Sequence, residues 1–339
     1  MKPTNFAYHL TEYLSKYLPS QVGASTNTIK SYRDTFTLLL KFCKAEKGIN
    51  PDRLTLKHLE RVLVEDFLSW IEEKKKCSVS TRNQRLAAIH SFFRYLQIEA
   101  PENILSYQKV LAIPVKRYSR RTLNYLSLKG IKTILAMPDT GTLSGRRDLV
   151  LLCLLYDTGA RVQEIADCTV GDVRLEDPAN IRLRGKGEKS RIVPVMKQTA
   201  LYIKEYTHER NLDKPVMRPY PLFYNRIRRK LTRAGITYIL NKYVGMARSI
   251  APEHIPDVVS PHSIRHSKAM HLLQAGVNLI YIRDLLGHVD IKTTEIYARA
   301  DTDMKRKALE NAYRDISPDK LPEWHNDSEL MSWLKSLCS

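Results

Sequence analysis

PHSIRHSKAMHLLQAGVNLIYIRDLLGHVDIKTTEIYA, residues 261–298, is the stretch that decides how this chain folds. Ser260 can cap a helix and Pro261 suits its first turn, so a helix is predicted to start there. His262 and Arg265 are at i and i+3, on one helix face. The start of a helix also turns backbone N–H groups and partial positive charge outward, a setting that favours a phosphate. Gly287 ends a second helix, Asn278 to Leu286. Asp290 can open a short third one carrying Thr293, Thr294 and Tyr297. The stretch therefore reads as stacked short helices that present two histidines, an arginine and a tyrosine.

Upstream, Gly145-Arg146-Arg147-Asp148 leads into an apolar run, Leu149–Tyr156, read as a buried helix. Gly159 breaks it, and Arg161 to Ala166 starts another helix. Ile181–Arg184 and Arg191–Val195 read as two strands joined by Gly185-Lys186-Gly187-Glu188-Lys189, a hairpin by its turn residues. Helices resume near Thr232 and run to about Tyr313. Residues 1–104 carry helical stripes: Ile29, Tyr32, Phe36, Leu39, Leu40 and Cys43; then Leu63, Phe67, Trp70 and Ile71. A third helix from Ser80-Thr81 has Leu86, Ile89, Phe92, Phe93 and Leu96 inward, with Arg82, Arg85 and Arg94 outward; Pro101 stops it. The expected class is mainly α with a small antiparallel sheet. The expected divisions are a helical domain over 1–104, a basic linker over 105–122, a second domain over 123–315 and a tail over 316–339. The linker is either laid along a DNA backbone or simply solvated.

At 339 residues the chain has room for two cores, and 43% hydrophobic against 27% charged residues is a globular balance. Lys+Arg number 55 and Asp+Glu 36, a net charge of +19 that points to a polyanionic partner. Five scattered cysteines, none in a CxxC pair, argue against a disulfide framework or zinc site and fit a reducing compartment. The N-terminus lacks a signal-peptide apolar core, and no run of 18 apolar residues suits a membrane span. A cytoplasmic, nucleoid-associated protein is expected.

Two arginines, two histidines, a lysine and a tyrosine are parts sufficient to attack a phosphodiester without a metal. Such a reaction needs a nucleophile, charge stabilisation at phosphorus and a proton for the departing oxygen. Arg161 and Arg265 come from separate helices, and each planar fork can donate two bonds to non-bridging oxygens. Lys186, at a hairpin tip, can reach across a groove as a proton donor. Each reading has a plainer alternative: surface ion pairs for the arginines, a solvated turn for Lys186, a packed aromatic for Tyr297. Gly185-Lys186-Gly187 lacks the GxxxxGK[ST] spacing of a P-loop, so nothing supports ATP use.

Taken together, TGARVQEI (158–165), RGKGEKSRIVPV (184–195), PHSIRHSKAMHLLQAG (261–276) and LLGHVDIKTTEIYA (285–298) resemble the tyrosine recombinase (phage integrase) family. The resemblance spans most of residues 123–312. TRNQRLAAIHSFFRYL (81–96) is less specifically similar to that family's SAM-like core-binding domain. The implied catalytic residues are Arg161, Lys186, His262, Arg265, His288 and Tyr297, with Glu164 supporting the site. Thr81, Arg82, Arg85, Arg117, Arg120 and Arg121 are expected to meet DNA.

The resemblance implies a site-specific recombinase that uses neither metal nor cofactor. Tyr297 would form a 3′-phosphotyrosine, and strands would exchange through a Holliday junction. Double-stranded DNA is the implied partner, bound at two sites by four protomers, either all of this chain or shared with a related recombinase. Integration, excision, transposition, inversion and dimer resolution all remain open as the task. The tail stripe Leu330, Trp333, Leu334 and Leu337 would dock on a neighbouring protomer or close onto its own domain. Two rivals stand beside this reading: a type IB topoisomerase, which nicks and reseals one duplex, and a DNA-binding regulator without catalysis.

Overall fold

Capping residues and apolar stripes place the helices of the computed structural model, which describes residues 3–117, 124–185, 189–288, 290, 292–300 and 328–337. The chain divides into two compact units, Met1–Arg121 and Thr122–Ser339.

In the first unit, α1 (Asn5–Glu12) runs on into a wider π-helical turn over Tyr13–Gln21. Ser25 caps α2 (Thr26–Lys47), which ends at Gly48. Then come α3 (Arg61–Glu73) and α4 (Val79–Glu99), the latter capped by Ser78, two residues earlier than expected. The core is rich in aromatics: Phe92 meets Phe36 edge-on at 5.1 Å and Tyr13 at 5.2 Å between ring centres. Rings bury large apolar area on few rotatable bonds, and edge-to-face contact adds electrostatic complementarity. The expected linker is shorter than its composition implied. Its first part is α5 (Ile104–Leu111), whose Tyr107 and Val110 are buried in this core along with Ile113. The basic residues that follow hid those apolar anchors.

The second unit opens with α6 (Leu128–Leu135) and α7 (Leu143–Thr158), the expected buried helix. Gly159 ends α7 at φ +55°, and a Cβ there would lie 2.8 Å from Leu286 Cδ2. Glycine thus serves both the left-handed turn and the close approach. After α8 (Val162–Asp167) comes an antiparallel sheet of β1 (Val173–Arg174), β2 (Asn180–Arg184) and β3 (Ser190–Pro194) in that order. Ile181 pairs with Val193 and Leu183 with Arg191. In this unit α6 went unread in the sequence, and so did two further elements. β1 has two residues, too few to show a period. The other, α9 (Lys197–Glu209), buries a narrow stripe of Thr199, Ile203, Tyr206 and Thr207, half of it polar.

Thr232 caps α10 (Arg233–Ile250). α11 (Pro261–Gln274), α12 (Leu279–Leu286) and α13 (Lys292–Ala300) follow, with the caps expected at Ser260 and Gly287, and with Asn278 capping α12 rather than opening it as a helical residue. A small apolar cluster of Met270, Leu273, Ile282, Leu286 and Tyr297 joins these three helices. In the tail, α14 (Ser328–Ser336) leaves Trp333, Leu334 and Leu337 exposed. Among the described residues no helix is long and apolar enough to cross a membrane.

Candidate active site

The C-terminus of α12 organises the site. A helix ends with carbonyls that have no partner within the helix, and they carry the negative end of its dipole. Here three successive carbonyls each receive a different guanidinium. Arg191 donates to Leu285 O at 2.8 Å, Arg265 to Leu286 O at 2.7 Å and Arg161 to Gly287 O at 3.4 Å. Gly287 stands at φ +64°, and a Cβ there would lie 2.8 Å from an Arg191 nitrogen. The glycine therefore ends the helix and also lets Arg191 pass beneath the turn.

Glu164, buried in α8, supplies the counter-charge. Its carboxylate accepts from Arg191 at 2.8 and 3.0 Å, from Arg161 Nη1 at 2.9 Å and from the Arg161 backbone at 2.8 Å. Burial pushes its pKa up, but the bonds from Arg191 and Arg161 outweigh that and hold it below the usual carboxylate range. Arg265 is 3% exposed, and its second bond goes to Gly159 O at 2.7 Å. Burial first, then neighbouring Arg161, lowers its pKa to about 10, which leaves it charged at neutral pH. Arg161 keeps 40% of its side chain exposed, so its fork is open to a ligand while its position is fixed by Glu164.

The aromatic groups line up beside these cations. His262, in the first turn of α11, is solvent-exposed at its edge. Partial desolvation, then Arg265, Arg161 and Arg233, lowers its pKa. His266, one turn on, lies 6.3 Å from it ring to ring. Tyr297 is 1% exposed, with its hydroxyl 2.9 Å from His266 Nδ1. Burial raises the Tyr297 pKa, and Arg265 and Arg161 offset part of the rise. The His288 ring lies nearly parallel to Tyr297 at 6.5 Å, and its Nδ1 is 2.9 Å from Thr294 Oγ1.

The structure thus gathers Arg161, Glu164, His262, Arg265, His288 and Tyr297 in one region. Lys186 lies outside the described residues; the hairpin below it is closed by Gly185 N–H donating to Lys189 O at 2.7 Å. Sequence reasoning missed Arg191 and His266. Arg191 had a signal: it alternates with Val193 on β3 and pairs with buried Leu183, so it shares the inward face. His266 had one too, the i, i+4 spacing from His262.

The outward placement expected of Arg82 and Arg85 needs correction. Arg82 is 5% exposed, not outward: it donates to Pro114 O at 3.1 Å and helps strap the segment after α5 onto α4. Arg85 is half-buried and donates to Ser31 O and Thr35 Oγ1, both at 3.0 Å, tying α4 to α2. Long basic side chains can serve as packing and bridging groups, and helical spacing does not tell the two uses apart. Thr81 lies in the first turn of α4, its N–H bonded to Ser78 Oγ at 3.2 Å. Arg94 and Arg117 are exposed. Arg120 and Arg121 lie outside the described residues.

A family model of the phage integrase family matches residues 124–304, and one of the phage integrase N-terminal SAM-like domain matches residues 10–100. The "Putative integrase/recombinase y4rC" of Sinorhizobium fredii is 37% identical over 99% of both chains. A tyrosine recombinase XerD of Listeria monocytogenes is 30% identical over 91% of this chain and 98% of its own. Among solved structures, the XerH site-specific recombinase bound to palindromic difH substrate has a TM-score of 0.66 at 23% identity, covering 86% of this chain and 80% of that one, a likeness of fold. The chain belongs to the tyrosine recombinase (phage integrase) family. It is a site-specific DNA recombinase, with a helical SAM-like domain before the catalytic one.

Proposed function

We propose that the clustered cations bind one scissile phosphate of a DNA duplex and that Tyr297 attacks it. The observation that carries this reading is the set of guanidiniums anchored on the last carbonyls of α12, together with a buried Tyr297 whose ionised form Arg265 and Arg161 favour. Such anchoring holds donors where charge develops at phosphorus, so little reorganisation accompanies the step. Tyr297 forms a 3′-phosphotyrosine and the 5′-oxygen departs, protonated by Lys186. Arg161, Arg265 and His288 stabilise the pentavalent phosphorus; His262, at the open edge, positions the phosphate. Glu164 keeps Arg161 and Arg191 in place. The covalent bond stores the phosphodiester's energy, so a second strand's 5′-hydroxyl can reverse the step and complete exchange.

Exposed cations such as Arg94 and Arg117 hold the DNA backbone. Four protomers act on two sites, and α14 offers its apolar face to a neighbouring protomer. Integration or excision of a mobile element, or dimer resolution, is the task.

A DNA duplex nicked beside the crossover tests the chemistry, because the released fragment diffuses away and traps the adduct. In chelator, the protein is expected to accumulate a covalent complex that maps to Tyr297. Tyr297→Phe is expected to bind the same DNA and form none. An adduct on another residue, or one that survives in Tyr297→Phe, would remove the assignment.

A further inference from the structure

Removing a proton from Tyr297 needs an acceptor, a task that the roles proposed above leave unassigned. The phenol is buried, and its environment disfavours ionisation. Two imidazoles flank it. The Nδ1 of His288 is engaged with Thr294. The Nδ1 of His266 is directed at the Tyr297 hydroxyl, 2.9 Å away, with the ring centres 5.6 Å apart at 58°. A general base must stand within hydrogen-bond reach of the proton it takes, and His266 does. It is half-buried, and its desolvation, with His262 and Arg265 nearby, keeps the ring neutral and able to accept.

We propose that His266 is the general base for Tyr297. As the bond from Tyr297 Oη to phosphorus forms and the bond from phosphorus to the 5′-oxygen breaks, the phenol proton passes to His266 Nδ1. The departing 5′-oxygen takes its proton from Lys186. In the rejoining step His266 returns the proton to the Tyr297 oxygen as that oxygen leaves phosphorus. Nδ1 must then be bare in the resting state, with the ring proton on Nε2. The inference rests on the strand-transfer reading above.

Single-turnover cleavage of the nicked duplex tests it. His266→Asn keeps an oxygen acceptor near the place of Nδ1 but no useful base. It is expected to bind DNA as the parent does and to form the covalent complex at least about 100-fold more slowly. A fluorinated tyrosine at position 297, with an acidified phenol, is expected to recover most of that loss in the His266→Asn protein. A purely structural defect would not respond to phenol acidity. His266→Gln, checked for parent-like DNA affinity, gives a second comparison if the asparagine variant folds poorly. The proposal is overturned if these variants cleave at the parent rate, or faster, or if phenol acidity restores nothing. Should the parent itself form no Tyr297 adduct, the strand-transfer reading fails instead.

Discussion

A guanidinium is useful at phosphorus only if something else holds it still, and here Glu164 and the end of α12 do so. Arg161 is the cation with an open face. Arg161→Ala is expected to slow covalent-complex formation by about 100- to 1000-fold, the scale of one lost oxyanion donor, with DNA affinity little changed. A normal rate in the nicked-duplex assay would show that Arg161 does not face the phosphate. Arg161, His262, Arg265 and His288 were legible as candidates from local patterns, since each sits in a short motif with its own turn or cap, whereas Tyr297 stood out only through the family resemblance. Arg191 was hidden because its partners, Glu164 and Leu285, lie 27 and 94 residues away.

Gly287 joins two constraints that local sequence shows only in half. Its place after an apolar helix predicted a left-handed stop; the guanidinium beneath it came from β3. Gly287→Ala meets both the positive φ and Arg191, so a loss of roughly 1–3 kcal/mol is expected, read as a lower denaturation midpoint. Unchanged stability would mean that Arg191 moves aside freely. Capped helices such as α11 and α12 were readable because a cap is a local hydrogen bond between near neighbours. α9 and β1 were not, since their place depends on what the rest of the unit lays against them. α5 failed for a related reason: its two buried residues count only once α4 is beside them.

Across the second unit, burial of neutral histidines makes stability depend on pH. Desolvation lowers His266 and His288 to about 4, from an ordinary 6.5. The unfolded chain therefore binds more protons between those values, and stability is lost as pH falls through that window. Glu164 acts with the same sign: its depressed carboxyl contributes above its ordinary pKa of 4.5, and that contribution fades at more acidic pH. A fall of a few kcal/mol from about pH 6.5 to 4 is expected in denaturant titrations of the parent, and a shallower one in His266→Asn/His288→Asn. Equal slopes would refute the histidine origin. The amino-acid order alone decided the class of fold and the motif residues, because caps, turns and helical stripes are written within a few residues of one another. Folding in space decided that Arg82 packs inward, that Arg191 shares Glu164 with Arg161, and that His266 faces Tyr297. These are meetings between elements far apart along the chain, and such contacts exist only after the helices pack.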